Sequence, residues 1–549
     1  MKIVLAQLNY HIGNFDYNVN KIIEAIEKAQ QQKADLVIFS ELSVCGYTPL
    51  DLFEQKEFIE KCEVAVNTIA LHCTKIAAIV GAPSINKSSI GKKLYNSAYF
   101  IAEGKIQSIH HKTLLPTYDV FDEYRHFEAN REFQLIHYKG EKIAITICED
   151  LWFDQPVDNS FEKNTLYILS PLEELSKLNP DFVVNLSASP FSYRQMDFRE
   201  QILKDNATKY KLPILYVNQV GANTELVFDG DSKVINANGE IIKNLNQFQE
   251  DFDYIDSSTF NTLAENEKLK NEVIASIHDA LVLGISDYFK KMNFTDAVLG
   301  LSGGIDSAVV LALTVKALGD NHVRVLLLPS KYSSNHSIDD AIKLANNLKV
   351  KYDIVPIQPI VDAFGCSTEP IFLNSSFGIA EENIQARVRG TLLMAISNKF
   401  GNILLNTTNK SEAAVGYGTL YGDMNGGLSV LGDVYKTEVY KLANYINKKT
   451  EIIPINTIIK PPSAELKPDQ KDTDSLPDYA VLDDLLYHYI ELKHGVNQLI
   501  VDGFDKLLVE KIIRLVNANE YKRFQFAPVI RISSKSFGFG RRMPLVAKY

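Results

Sequence analysis

The residues Gly300-Leu301-Ser302-Gly303-Gly304-Ile305-Asp306-Ser307 join an apolar run, Val298-Leu299, to a second one, Ala308-Val309-Val310-Leu311-Ala312-Leu313. A strand, a glycine-rich turn and a helix N-terminus in that order present unpaired backbone N–H groups and the positive end of a dipole, which suits phosphate. Two adjacent glycines let the backbone come close to an anion. Ser302 and Ser307 add hydroxyls, and Asp306 is a carboxylate suited to holding magnesium on the phosphates. A second set of reactive types lies in the first half. Glu41 follows Asp35-Leu36-Val37-Ile38-Phe39-Ser40, Lys112 lies in His110-His111-Lys112-Thr113-Leu114-Leu115-Pro116, and Cys148 ends Ile143-Ala144-Ile145-Thr146-Ile147. A thiol beside a carboxylate and a lysine can attack an amide. Glu41 would take the thiol proton, and Lys112 would stabilise the negative charge that develops. Singly, each residue has an ordinary explanation; their joint order and surroundings carry the reading.

Positioning these groups requires strands that end where they begin, because active residues of α/β sheets gather at the carboxyl ends of strands. In the first half, apolar runs predict strands at 2–7, 35–39, 76–81, 98–102, 143–147, 182–185 and 214–218, with helices at 18–31 and 195–210. The sequence changes character after Asp253, where Ser257-Ser258-Thr259 precedes a periodic helix at 264–292, so a domain boundary is placed there. The second half predicts strands at 323–328, 353–357 and 403–406 and helices at 337–348 and 381–400. Residues 461–477, rich in Pro, Lys and Asp, read as a mobile surface loop. Alternating strands and helices in both halves predict an α/β architecture.

A chain of 549 residues exceeds a single core. With 46% hydrophobic and 23% charged residues it reads as globular, and its net charge of −11 argues against nucleic acid as a partner. The five cysteines form no Cys-x-x-Cys pair, so neither a zinc knuckle nor a disulfide framework is suggested. The opening apolar stretch is too short for a signal peptide, and no run is long enough for a membrane span. A cytoplasmic protein without a membrane partner is expected.

The Ser302–Ser307 string resembles the pyrophosphate loop of enzymes that split ATP between its α and β phosphates, and differs from Gly-x-x-x-x-Gly-Lys-Ser/Thr. Phe39-Ser40-Glu41-Leu42, Lys112-x-x-Leu115-Pro116 and Ile147-Cys148-Glu149-Asp150 resemble, in order and spacing, the Glu, Lys and Cys regions of the nitrilase superfamily. That resemblance implies an α-β-β-α sandwich over roughly the first 250 residues, hydrolysing carbon–nitrogen bonds through a thioester. Tyr118 and Asn185-Leu186-Ser187-Ala188-Ser189-Pro190-Phe191 look like its glutamine-binding version. Ser189 would contact glutamine together with either Arg194 or Gln195, the latter standing where the family usually has a basic residue. Glu382-Asn383-Ile384-Gln385-Ala386-Arg387-Val388-Arg389-Gly390, Asn406-Thr407-Thr408-Asn409-Lys410-Ser411-Glu412, Gly416-Tyr417-Gly418-Thr419 and Leu431-Gly432-Asp433-Val434-Tyr435-Lys436-Thr437 resemble the NAD synthetase family. With the first half, they match its glutamine-dependent form over almost the whole chain.

The resemblance implies two domains: a glutaminase at 1–255, and a Rossmann-like parallel-sheet ATP-pyrophosphatase domain at 262–549. It assigns Gly300, Leu301, Ser302, Gly303, Gly304, Ile305, Asp306, Ser307, Thr407, Lys436 and Ser463 to ATP, and Asp306 and Glu412 to magnesium. Asn383, Arg387, Glu412 and Lys522 are assigned to deamido-NAD. The implied reaction is amidation of deamido-NAD to NAD through an adenylated carboxylate, with ammonia channelled from glutamine. The implied assembly is a homo-oligomer.

Overall fold

The computed structural model describes residues 1–155, 166–260, 272–373, 375–468, 470 and 472–547. The chain divides into two compact units, Met1–Lys270 and Asn271–Tyr549.

In the first unit, strand Lys2–Gln7 buries side chains on both faces. Because side chains alternate across a strand, Ile3 and Leu5 point to one core and Val4 and Ala6 to another. The first unit therefore has layers on both sides of its sheets. Six strands run in the order Asp251–Asp256, Lys2–Gln7, Leu36–Ile38, Ala77–Ile85, Leu94–Ala102, Lys105–His111. Six more run Ile241–Asn244, Lys233–Ile235, Ile214–Asn218, Phe182–Ser187, Glu141–Ile147, Ile136–Tyr138. The inner faces meet in one core of Ile3, Leu5, Ile38 and Ile79 against Ile145, Val184, Leu186 and Val217. The outer face of the first sheet packs on helices Phe15–Gln31 and Lys56–His72. That of the second packs on Pro171–Ser176 and Met196–Tyr210. Helix Phe15–Gln31 is capped by Asn14, which accepts from Tyr17 N, and buries Ile22, Ala25, Ile26 and Ala29 at helical spacing. This is the expected α-β-β-α sandwich.

The second unit is built on a parallel sheet in the order Lys351–Ile354, Val323–Leu327, Ala297–Gly300, Ile403–Asn406, Leu428–Ser429. Ala297–Gly300 comes first in the chain and lies in the middle; the chain steps outward from it to Val323–Leu327 and Lys351–Ile354, then crosses back to place Ile403–Asn406 on its other side. That reversal opens a crevice beyond the carboxyl ends of the two central strands. Helix Ile305–Leu318 buries every residue from Ser307 to Thr314, so it lacks a polar face at its centre. A second core of Leu482, Leu485, Leu486, Leu499, Val509 and Ile512 joins the C-terminal helices.

Several expected elements are displaced or were unforeseen. The strand expected at 353–357 is Lys351–Ile354, and Gln358 opens an unpredicted helix, Gln358–Phe372, whose second residue is Pro359. The helix expected at 264–292 is Val273–Lys291; residues 264–271 lie outside the described part. Strands Lys105–His111 and Asp251–Asp256 carry too few apolar residues to announce themselves. Among the described residues of 461–477 there is a single short turn of helix, Asp472–Asp474, and 461–466 with Asp472 line a cavity. Among the described residues no helix is long and apolar enough to cross a membrane.

Candidate active sites

Cys148 stands at the end of strand Glu141–Ile147 and begins a short 3-10 turn, Cys148–Leu151, with φ of +43°. A left-handed backbone at a residue with a side chain is strained, and such strain persists where the surroundings hold it. The holding group is Asp150. Its Oδ2 accepts from Ile147 N at 2.9 Å, and its Oδ1 accepts from Thr113 N at 2.9 Å and Leu114 N at 2.8 Å. One carboxylate thus ties the thiol turn to the segment bearing Lys112.

The Lys112 ammonium, completely buried, donates to Glu41 Oε1 at 2.7 Å and Glu123 Oε1 at 2.9 Å. An ammonium has three N–H groups, so among these described partners one remains for a substrate oxyanion. Glu41 is oriented further by Asn96 Nδ2 at 2.7 Å and Ala188 N at 3.0 Å. Glu123 accepts from the Tyr47 hydroxyl at 2.9 Å. Burial, with Glu41 beside it, pushes the Cys148 thiol well above its ordinary range. Burial opposes the charge on Lys112, but Glu123 and Glu41 outweigh it and raise its pKa. The resting site therefore holds a protonated thiol and a charged lysine, and the thiol must lose its proton as it attacks. Glu123 was missed in the sequence. It sits on a turn, Glu123–Arg125, beside Asp122 and Tyr124, where a carboxylate ordinarily faces water.

Next to Cys148, the buried Glu149 accepts from the hydroxyls of Tyr118 (3.0 Å) and Tyr167 (2.7 Å) and from Gln155 Nε2 (3.0 Å). Burial pushes it up to about 7. Ser189 N donates to Asn218 Oδ1 at 2.9 Å. Gln195 is exposed and precedes helix Met196–Tyr210 without capping it through its side chain, and Arg194 Nε donates to the Tyr193 hydroxyl. Nearby, Arg199 is buried in a bidentate pair with Asp229.

In the second unit, the crevice holds a cavity of about 320 Å³. It is lined by Gly300, Leu301, Ser302, Gly304, Ile305, Asp306, Ser307, Thr407, Glu412, Lys436 and Ser463. Gly303 instead turns its back to a neighbouring helix. Its φ is +80°, and a Cβ there would lie 2.1 Å from Ser337 O. Only glycine fits that approach. Gly304 N donates to Ser302 Oγ at 3.2 Å, so the loop's hydroxyls brace its backbone. The Ser463 hydroxyl donates to Gln470 O within its own segment.

Lys436 Nζ donates to Asp306 Oδ2 at 2.5 Å and to Glu412 Oε1 at 3.3 Å. Asn409 Nδ2 donates to Asp306 Oδ1 at 2.9 Å. Burial pushes Glu412 up to about 8; Lys436 opposes that rise and Asp306 adds to it. Asp472, which the sequence reading missed, is a third carboxylate acting on this lysine. One ammonium facing three carboxyl groups forms a set of oxygen donors that fits a hard divalent cation. The same cavity is lined by Arg389 and Lys460, which carry positive charge toward a phosphate chain.

Asn383, Arg387 and Lys522 do not line this cavity; they gather around the neighbouring loop 416–420. Thr419 Oγ1 donates to Asn383 Oδ1 at 2.8 Å, Arg387 Nε donates to Leu420 O at 3.3 Å, and Lys522 Nζ donates to Gly416 O and Gly418 O at 2.7 and 2.9 Å. Glu412 shares the cavity with the nucleotide-loop residues instead.

The family model for carbon–nitrogen hydrolases matches residues 2–258, and that for NAD synthase matches residues 277–526. Along its whole length the chain is 45% identical to the glutamine-dependent NAD(+) synthetase of Synechocystis sp., of which 99% is covered. The chain belongs to the glutamine-dependent NAD(+) synthetase family. The family member from Acinetobacter baylyi is 42% identical over 99% of this chain and 98% of its own. A solved glutamine-dependent NAD+ synthetase from Acinetobacter baumannii, in complex with ADP, superposes with a TM-score of 0.78 at 41% identity, covering 99% of this chain and 98% of that one.

Proposed function

We propose that the chain is a carbon–nitrogen ligase that amidates deamido-NAD to NAD with ATP and glutamine, with the glutaminase on residues 1–255 and the synthetase on residues 262–549. The observation that carries this reading is the coexistence of a buried Glu41–Lys112–Cys148 cluster and a glycine-rich phosphate loop in one family member.

At the first site, Cys148 attacks the carboxamide carbon of glutamine as Glu41 takes its proton, and Lys112 balances the oxyanion. Glu41 returns the proton to the departing nitrogen and ammonia leaves a glutamyl thioester. Water, deprotonated by Glu41, then releases glutamate. Tyr118, Ser189 and Gln195 or Arg194 would hold the amino-acid end. The buried Glu149, whose partners among the described residues are neutral donors, would receive its ammonium.

At the second site, a substrate carboxylate oxygen attacks the α-phosphorus of ATP and pyrophosphate leaves. Ammonia then displaces AMP from the acyl carbon, AMP being a far better leaving group than oxide. The loop Gly300–Ser307, Thr407, Ser463 and Lys436 would hold ATP. Asp306 and Glu412 would hold magnesium, which neutralises phosphate charge when bound. Asn383, Arg387 and Lys522 would bind deamido-NAD beside loop 416–420. Passage of ammonia without release to solvent would keep it unprotonated, and the cytoplasm, where these substrates occur together, is the setting for the reaction. Helix Gln358–Phe372 buries none of its residues and exposes Ile360, Phe364 and Ile371, and the helix bearing Asn383 and Arg387 exposes Ile379. Those apolar faces support the homo-oligomer.

The test offers deamido-NAD, ATP and magnesium with either glutamine or ammonium. Wild type should form NAD from both donors, and Cys148→Ala only from ammonium. Glutamine use by the variant equal to that of wild type would overturn the thiol assignment.

A further inference from the structure

Away from both sites, three side chains converge at the end of helix Tyr479–Ile490. His488 Nδ1 lies 3.3 Å from Asp502 Oδ2, and His494 Nδ1 lies 2.7 Å from the same oxygen. Among the described residues this is the one group of three His, Cys, Asp or Glu side chains whose ligand atoms all lie within 4.8 Å of one another. A tetrahedral zinc about 2.0 Å from each ligand sets those ligands roughly 3.3 Å apart, so small side-chain adjustments admit an ion.

The surroundings are arranged as around a metal ligand set. His488 Nε2, the nitrogen turned away from the cluster, faces Asp484 Oδ1 at 3.8 Å, one helical turn back. That separation exceeds a hydrogen bond, but a small rotation of the exposed Asp484 closes it, and a carboxylate so placed fixes the tautomer of a histidine and raises its basicity toward a metal on the other nitrogen. Asp502 Oδ1 is held by Gln498 Nε2 at 2.8 Å, which leaves Oδ2 aimed at both imidazoles. The backbone braces the geometry, since His494 N donates to His488 O at 3.0 Å and Asp502 N donates to Gln498 O at 2.8 Å. All three side chains are partly exposed, so an ion has a way in and solvent can supply a fourth ligand.

We propose that His488, His494 and Asp502 form a binding site for a divalent first-row transition metal ion, with Asp484 positioning His488. Two imidazole nitrogens and one carboxylate oxygen favour zinc, nickel, cobalt or copper over magnesium and calcium, which prefer oxygen alone. The ion ties helix Tyr479–Ile490 to helix Val496–Val501 across the turn between them. The first of these helices also carries Asp483, which accepts from Ser411 Oγ and Thr437 N beside the nucleotide site. Metal occupancy therefore stiffens the support of Lys436 and Glu412 without touching them.

The test uses the full chain carrying Cys148→Ala, which removes the active-site thiol, stripped with chelator and kept in excess magnesium to occupy hard-cation sites. Cobalt(II) and zinc are the probes, read by visible absorption, calorimetry and thermal melting. One cobalt per chain should bind, and zinc should raise Tm by roughly 5 °C at a hundredfold excess over Kd. His494→Gln should abolish both effects, and Asp484→Asn should weaken binding about 10-fold. Asp502→Asn serves as a second ligand variant should His494→Gln fold poorly, and ammonium-dependent NAD synthesis of each variant without zinc reports its fold. The proposal is overturned if the parent binds no stoichiometric metal, or if His494→Gln and Asp502→Asn bind as tightly as the parent, which would mean adventitious association with other surface groups.

Discussion

The two sites differ in how their charges are held. Around Cys148, Glu41 and Lys112 are wholly buried and already paired, with Asn96, Glu123 and Asp150 fastening them. Around Asp306, one lysine faces several carboxylates in a cavity whose wall includes the surface segment 461–466. The carboxamide that meets Cys148 is uncharged, so the first site must carry a finished electrostatic frame before substrate arrives. A nucleotide brings its own charge and cation, so the second site can be left incomplete. Removing one charge should therefore hurt the two sites in different ways.

The largest effect should come from Lys436→Met. It leaves Asp306 and Glu412 without their ammonium, and removal of one partner of a buried pair costs about 3–5 kcal/mol. NAD formation from either donor should fall about 10²–10³-fold, while glutaminase activity measured as glutamate release stays within about twofold of wild type. Equal loss of glutaminase would erase the distinction between a self-contained site and an incomplete one.

A pH profile sharpens the contrast next. Glu149, raised to about 7 by burial, is a carboxylate above that pH and a neutral acid below it. With Glu149 as the proposed partner of the glutamine ammonium, that binding should be present above pH 7 and lost as pH falls through it. KM for glutamine should rise about tenfold per pH unit below the inflection, with no such inflection in KM for ammonium once free ammonia is accounted for. Glu149→Gln should flatten the profile. The stability linkage has the opposite sign: a raised acid binds more protons folded than unfolded, so its contribution to stability declines between its ordinary value near 4.5 and about 7.

The smallest effect should be that of Glu465→Gln. Glu465 accepts from the hydroxyls of Ser334 and Ser337 at 3.0 and 2.7 Å, at the N-terminus of helix Asn335–Asn347. This carboxylate joins the cavity's surface segment to the helix behind Gly303. A charge at a helix N-terminus contributes about 0.3–1 kcal/mol, so KM for ATP should change two- to fivefold, read in steady-state kinetics with ammonium as donor. No change would mean that the segment is held by its other contacts.

Much of this was legible in the chain because the candidate catalytic groups sit where short-range patterns end. Cys148 closes a run of alternating apolar residues, and Ser302–Ser307 interrupts two apolar segments, so both are visible without any long-range information. Strands Lys2–Gln7, Ile214–Asn218 and Ile403–Asn406 were legible to the residue because they are buried on both faces and read as continuous apolar runs. Lys105–His111, whose exposed positions alternate with half-buried ones, lacked that signal.

What the amino-acid order determined by itself was therefore local: strand, turn and helix, and the reactive residue at each junction. Only the tertiary structure decided which distant groups share a charge. Glu123 meets Lys112 because a turn folds inward, Asp472 approaches Lys436, and Asn383 joins Thr419 across 36 residues. Periodicity records which face of an element is apolar, whereas the pairing of buried charges depends on where separate segments come to rest.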